Sequence, residues 1–310
     1  MKSSYLSLLT GLALAASVQA AVTIDYVTVG DTGNAADPST GGLYGAVAYA
    51  YQIGKYEVTN AHYAEFLNNT AASNPNGLFN ASMGSDGRGG ITQSGSSGSF
   101  SYAVKANMGD KPVNFVSIAD AMRFTNWINN GQGAATTESG AYDMTISADT
   151  VVHSGSANVW LPTEDEWYKA AYYQPTAAGG DTDNYWLYAT QSNTIPTVGT
   201  VDANGNITND AANLANYNSG AIWNGQTGNV TTVGSAGATS DSYYGAYDLG
   251  GNVREWNEAI ISNARGVRGG SWLFSENFLR ASFRYSSRPR SRTSASGSVS
   301  QALLSPNLRA

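Results

Sequence analysis

The sequence lacks the residue types on which most redox and metal chemistry depends. It has no cysteine and only two histidines, His62 and His153, in 310 residues. A disulfide, a thiol nucleophile, a cysteine zinc site, an iron–sulfur cluster and a three-histidine metal centre are therefore excluded. Any chemistry must come from the oxygen and nitrogen donors of other side chains and of the backbone.

One turn places several oxygen donors close together. Gly250 and Gly251 are followed by Asn252, Val253 and, after one arginine, Glu255. Glycines allow backbone carbonyls to point inward, and the amide and carboxylate side chains add further oxygens. Sets of oxygen ligands of this kind suit calcium. The alternative is a hydrogen-bonded tight turn without a metal.

Three consecutive acids, Glu164, Asp165 and Glu166, could indicate a catalytic site. They directly follow Thr163, however, and the pattern Thr-x-x-Glu is the capping box that begins an α-helix. Negative charge in the first turn is also favoured by the helix dipole. We therefore predict that these acids begin a helix within residues 161–172 and carry no chemistry.

A second helix is predicted over residues 59–68, where apolar side chains recur at helical spacing behind a capping Thr59 or Asn60. His62 lies beside the apolar stripe, and we expect it to take a capping or surface position. A third helix is predicted over residues 117–128, since Ser117 and Asp120 form a variant of the capping box.

The strand-like segments are short, and much of the chain is rich in Gly, Ser, Asn and Thr. Two such stretches, 69–101 and 189–242, are predicted to be surface loops or insertions. Few helices, few strands and many loops indicate a single α+β domain. The predicted strands are 22–29, 51–58, 144–146 and 266–274.

The composition and charge restrict the class of protein. Hydrophobic residues make up 42%, which is typical of a folded chain, and the formal net charge is −7. Eight of the 16 basic residues are arginines after residue 264, and Glu276 is the one acid among them. The overall negative charge argues against a nucleic-acid partner.

Residues 1–20 have the order of features of a secretory signal peptide. A single Lys2 precedes an apolar run over 6–16, and Val18-Gln19-Ala20 forms a small-x-small cleavage site. A buried N-terminal helix is the alternative. No later stretch is long and apolar enough to span a membrane. We predict a protein that is secreted, periplasmic or at the cell surface of a bacterium.

Five short motifs follow one another between residues 40 and 285. They are 53–60 (IGKYEVTN), 112–117 (PVNFVS), 161–167 (LPTEDEW), 247–256 (YDLGGNVREW) and 268–272 (RGGSW). Together they resemble the formylglycine-generating enzyme family, also called the sulfatase-modifying factor family. The resemblance implies an α+β fold, a variant of the C-type lectin fold with a small antiparallel sheet, two to three helices and a high loop content.

The resemblance also implies an oxidoreductase that converts a sulfatase cysteine to formylglycine with two copper-binding cysteines. Here Phe274 and Leu279 occupy those two positions. A copper(I) centre needs soft thiolate ligands, so copper is not expected and no catalytic residue is assigned. We predict a non-catalytic, monomeric binding or surface module for an exported protein or glycan. An oxidoreductase with altered chemistry is the alternative.

The family has two calcium sites, and the resemblance assigns residues to both. Asn252 and Glu255 match the side-chain ligands of one site, with carbonyls from Gly250 and Val253. Asn216 and Tyr217 match part of the second site, but residues 224–228 lack its carboxylate. A structural role for calcium is expected at the first site.

Three features near the C-terminus bear on the domain boundaries. Arg254 replaces a tryptophan common in the family and is expected to face solvent or to pair with Glu258 on a short helix. Arg280 and Arg284 match arginines used inside the fold. Beyond Tyr285 the family's closing strand is missing. We predict a domain over 21–290 and a disordered or frame-shifted tail over 291–310, where a shifted frame would encode that strand and a Pro-Glu-Pro sorting signal.

Overall fold

The computed structural model describes residues 21–288, 299–300 and 305–306. The predicted signal peptide, the domain boundary at 290 and most of the predicted tail lie outside the described residues. In chain order the elements are β1 (Tyr26–Val29), β2 (Tyr51–Gly54), α1 (Asn60–Thr70), α2 (Ala81–Ser85), β3 (Ile91–Ser94), β4 (Ser101–Val104), α3 (Ile118–Asn129), β5 (Val159–Trp160), α4 (Glu164–Tyr172), β6 (Thr197–Val198), β7 (Leu214–Ala215), β8 (Arg254–Ile261), β9 (Ala264–Arg268), β10 (Tyr285–Ser287), β11 (Val299–Ser300) and β12 (Ser305–Pro306).

The three predicted helices are confirmed, and each begins with a complete capping box. Thr59, Ser117 and Thr163 are the capping residues of α1, α3 and α4. His62 completes the first box, because its Nδ1 accepts a hydrogen bond from the Thr59 backbone N–H at 3.4 Å. None of the described helices is both long and apolar enough to cross a membrane.

Aromatic side chains join α1 to α3 and form the centre of the larger core. The ring of Phe66 lies 5.3 Å from that of Phe124 and 5.4 Å from that of Trp127. Tyr63 adds a contact to Phe124 at 6.0 Å. All four rings are buried. Offset and edge-on ring pairs of this kind contribute beyond the area that they bury.

The largest sheet has four strands in the order β10-β9-β8-β11. Strands β8, β9 and β10 are antiparallel neighbours, whereas β11 joins β8 in parallel. A bulge between Trp256 and Ile260 interrupts the β8–β9 register. The remaining strands form two-stranded sheets. In the described part of the chain, small sheets, four α-helices and long irregular segments confirm the α+β class.

The strand prediction for residues 144–146 is wrong. The Asp143 carboxylate accepts hydrogen bonds from the backbone N–H and the hydroxyl of Thr145, at 3.0 and 2.7 Å. Such an Asx-turn competes with an extended backbone, and the segment forms a turn. Ile146 is 48% exposed, so its side chain is not buried against a sheet.

Two other predictions need correction. The strand predicted over 266–274 ends at Arg268, because Gly269 and Gly270 follow with φ values of +94° and +71°. The two segments predicted as loops are not loops throughout: 69–101 contains α2, β3 and the start of β4, and 189–242 contains β6 and β7. In the first of them, two apolar residues are buried. Met83 and Ile91 anchor that segment in the core. Because the segment is mostly polar, its sequence does not indicate that these two residues are buried.

Candidate functional site

The two positions matched to the family's cysteines carry only hydrocarbon side chains. Phe274 lies in the loop after β9, where its ring stacks on Phe278 at 4.5 Å. Leu279 ends the short 3-10 turn Glu276–Leu279 and is 1% exposed. Its buried neighbours include Tyr188 and Tyr217. Neither position offers an atom that could bind copper or relay an electron.

Arg254 does not face solvent, and the expectation of a pair with Glu258 is wrong. It is the first residue of β8, and its guanidinium carbon lies 4.9 Å from the centres of both the Phe274 and the Tyr285 rings. Burial lowers the pKa of Arg254. In a strand, residues four positions apart are separated by about 13 Å. Glu258 is therefore out of reach and binds His153 instead.

We call Arg254, Phe274, Phe278, Phe283 and Tyr285 the aromatic patch. Phe278 and Phe283 have ring centres 4.6 Å apart, and Tyr285 is 41% exposed. A cation between two rings, with further rings beside it, forms a surface suited to stacking and cation–π contacts. The patch includes Phe274, one of the two positions that the resemblance assigns to the family's cysteines.

A buried charge network holds the chain that carries the patch. Arg268 donates through Nη1 to the carbonyls of Ala281 at 3.1 Å and Phe283 at 3.0 Å. Its Nε donates to Glu164 Oε1 at 2.8 Å, and Nη2 lies 2.7 Å from the same oxygen at an angle poor for hydrogen bonding. Arg284 binds the other oxygen of Glu164 at 2.5 Å.

Glu164 therefore does more than begin a helix. The capping prediction accounts for Thr163 and Glu166, whereas Glu164 receives two arginines from the C-terminal part of the chain. The structural role predicted for Arg284 is confirmed. Arg280 also contacts the fold, since its Nε donates to the Tyr188 hydroxyl at 3.2 Å.

The predicted calcium turn is buried and held by hydrogen bonds. Asn252 donates to Glu57 Oε2 at 2.7 Å, and its side-chain oxygen accepts from the Thr231 backbone N–H at 2.9 Å. Glu255 accepts from Trp167 Nε1 at 2.6 Å through Oε2. The other oxygen of Glu255, Oε1, is buried without a partner among the described residues.

The two predicted calcium sites meet in one polar region. Asn216 donates to the side-chain oxygen of Asn252 at 3.2 Å, while its own Oδ1 is buried without a partner in the part of the chain that the structure describes. A Cβ at Gly251 would lie 2.5 Å from the Asn216 carbonyl, so the turn requires glycine there. The carbonyl of Tyr217 accepts from the Gly220 N–H at 3.0 Å.

Burial and mutual repulsion destabilise the ionised forms of the acids in this region. Burial raises the pKa of Glu255 to about 8, with a further contribution from Asp248. Burial and repulsion from Asp248 and Glu255 raise the pKa of Glu57. Among the described residues, no three His, Cys, Asp or Glu side chains form a metal-binding group. Unpaired buried oxygens, and acids whose ionised forms are destabilised by burial, fit a hard cation held mainly by amide and carbonyl oxygens. The side-chain oxygen of Asn252, however, already accepts hydrogen bonds from Thr231 and Asn216.

Glu57 is the residue of this region that sequence reasoning missed. It lies in the first of the five motifs, beside the strand β2, and is 1% exposed. Besides Asn252, it contacts the Val253 backbone N–H at 3.3 Å. The available signal in the sequence was an acidic residue within a motif. Only the fold shows that this residue faces the turn.

Comparison with known proteins agrees with the fold and the motifs. Residues 42–298 match the family model described as the sulfatase-modifying factor enzyme 1-like domain. The chain therefore belongs to this family, and the predicted resemblance is confirmed. No curated protein matches the chain.

CarF has a similar fold at low sequence identity, and two further solved structures resemble the chain with lower TM-scores. CarF is 18% identical, with a TM-score of 0.50 over 92% of this chain and 99% of that one. Treponema denticola variable protein 1 is 18% identical, with a TM-score of 0.46 over 93% of both chains. PvdO from Pseudomonas aeruginosa is 14% identical, with a TM-score of 0.41 over 84% of this chain and 82% of that one.

Proposed function

We propose that this chain is an exported, non-catalytic binding module built on the sulfatase-modifying factor scaffold. The observation that carries the proposal is the absence of any cysteine from a chain that belongs to this family. The resemblance places Phe274 and Leu279 at the positions of the two copper-binding cysteines. Without thiolates, the copper-dependent oxidation of a substrate cysteine has no ligands and no route for electrons. Binding is the function that the remaining surface supports best.

The aromatic patch is the proposed binding surface. Tyr285 and the neighbouring Leu273 are 41% and 40% exposed, and Arg254 provides a positive charge beneath the rings. Aromatic rings offer large contact areas at low conformational cost. Such a surface suits an exported protein or a glycan. The composition of residues 1–20 supports export, and the net charge of −7 argues against nucleic acid.

Calcium is proposed as a structural ion of the turn that contains Asn252 and Glu255. Glu255 and Asn216 supply the unpartnered oxygens, and the carbonyls of Gly250 and Val253 are candidates for further ligands. When bound, the ion would stabilise the ionised forms of the buried acids. It would have no part in a reaction.

A formylglycine assay tests the loss of the family reaction. The purified protein is incubated with a peptide that carries Cys-x-Pro-x-Arg, together with copper, oxygen and a thiol reductant, and the peptide is analysed by mass spectrometry. We expect no conversion beside an active enzyme of the family as control. Formylglycine in the product would overturn the proposal and require a mechanism without cysteine.

A binding assay tests the positive part of the proposal. The protein is applied to arrays of bacterial surface glycans and of peptides from exported proteins. We expect Tyr285→Ala to weaken the strongest signals at least tenfold, about 1.4 kcal/mol. Tyr243→Ala is the matched control, because Tyr243 is 36% exposed outside the patch. Equal losses in both variants would contradict binding at the patch.

A further inference from the structure

A cavity of about 920 Å³ is lined by residues outside the aromatic patch. One wall is the turn-rich segment 144–149, and the opposite wall includes Ser117 and Arg123 from the region of α3. Arg123 is already paired with Glu138, with nitrogen–oxygen distances of 2.8 and 2.9 Å. Residues 144–149 all line the cavity, so a shift of this segment would change its shape.

Both ends of the chain segment that carries this wall contact one carboxylate of the four-stranded sheet. Glu258 of β8 accepts a hydrogen bond from the Tyr142 hydroxyl through Oε1. Its Oε2 lies 2.7 Å from His153 Nδ1. Tyr142 precedes the wall segment and His153 follows it, so both ends of the segment meet at Glu258. The Glu258 side chain is only 6% exposed.

The surroundings of His153 favour its charged form. Its ring stacks on Trp160 of β5 at 4.9 Å, and its side chain is 28% exposed. Burial opposes the charge, but the hydrogen bond and charge of Glu258, with the charge of Glu166, outweigh burial and raise the pKa of His153. The ionisable groups that face this pair from the neighbouring segments are Glu166 of α4, Arg265 of β9, Tyr142 and Tyr49.

We propose that the His153–Glu258 ion pair is a pH-sensitive latch on the cavity wall formed by residues 144–149. At low pH the imidazolium and the carboxylate attract each other, and the wall is held closed. As the pH rises through the pKa of folded His153, the charge is lost and only a neutral hydrogen bond remains. Because the folded pKa lies above that of a free histidine, this stabilisation is complete below about pH 6.5 and decreases above it.

Other contacts keep the segment attached when His153 is neutral. Arg265 Nε donates to the Ala148 carbonyl at 2.9 Å, and the Ser154 N–H donates to the Ala141 carbonyl at 2.8 Å. Deprotonation therefore increases local opening without unfolding the domain. The latch thus links pH to the accessibility of the cavity and does not depend on the function proposed for the aromatic patch.

Hydrogen exchange on the full chain tests the latch. Exchange of residues 143–151 is compared at about pH 5.5 and about pH 8.5, after correction for the intrinsic rates. We expect the opening constant to be roughly threefold to tenfold larger at the higher pH, since one pKa unit corresponds to a factor of ten. His153→Asn keeps a hydrogen-bond donor but cannot be charged, so this difference should disappear.

Two controls make the outcome decisive. His62→Asn removes the other histidine and should retain the pH-dependent difference. The histidine NMR signals, of which the chain has only two, should show His153 titrating above the free-histidine value of about 6.5. The latch is wrong if His153 titrates at or below that value, or if His153→Asn keeps the pH-dependent exchange.

Discussion

Replacing Glu164 by Gln should destabilise the fold more than any neighbouring surface change. Arg268 is 1% exposed and Glu164 8%, so the substitution leaves a buried guanidinium without its counter-charge. Breaking a buried pair in this way costs about 3–5 kcal/mol. Arg268 keeps its hydrogen bonds to two carbonyls and its contacts with the rings of Tyr44 and Tyr168, so we expect a value of about 3 kcal/mol.

Urea denaturation at neutral pH measures this loss as the change in free energy of unfolding. Asp165→Asn, in the same helical turn, is the matched control and should cost no more than about 1 kcal/mol, the value of a charge near a helix N-terminus. Arg284 has a side chain that is 32% exposed, so Arg284→Gln should cost about 1 kcal/mol alone and almost nothing when added to Glu164→Gln. A cost for Glu164→Gln no larger than that for Asp165→Asn would refute the reasoning.

Two further predictions concern calcium and a buried lysine. At 100 times its dissociation constant, calcium should stabilise the protein by about 2.7 kcal/mol, and Glu255→Gln should abolish this gain in thermal unfolding. An unchanged melting temperature on chelation, with no calcium after purification, would contradict the site. Burial lowers the pKa of Lys169 to about 8, although its ammonium donates to the carbonyls of Gly30 and Asp31. Because the unfolded chain then binds more protons between about pH 8 and pH 10.4, stability should rise with pH in that window, and Lys169→Met should remove this part of the slope.

Sequence reasoning succeeded where the determining interactions are local. Each main helix begins at a capping residue whose partner lies three positions later, so a short window of sequence contains the whole signal. The family was also predictable, because the five motifs follow one another in a recognisable order and the family model matches residues 42–298. The fold class followed from the ordered motifs.

Sequence reasoning failed where distant segments meet. Glu164 and Arg284 are 120 residues apart, and Glu57 and Asn252 are 195 residues apart. No periodicity or spacing links such pairs, so their partners appear only in the folded chain. The burial of Arg254 was missed for the same reason, since the ring of Tyr285 reaches it from a different strand.

Strand β8 connects three distant sites of the protein. The side chains of three of its residues reach three different sites. Arg254 lies in the aromatic patch, Glu255 in the predicted calcium turn, and Glu258 binds His153. A ligand on the patch that displaces β8 would therefore change the proton affinity of His153. Thermodynamic reciprocity then requires the proton to change the affinity for that ligand by the same factor.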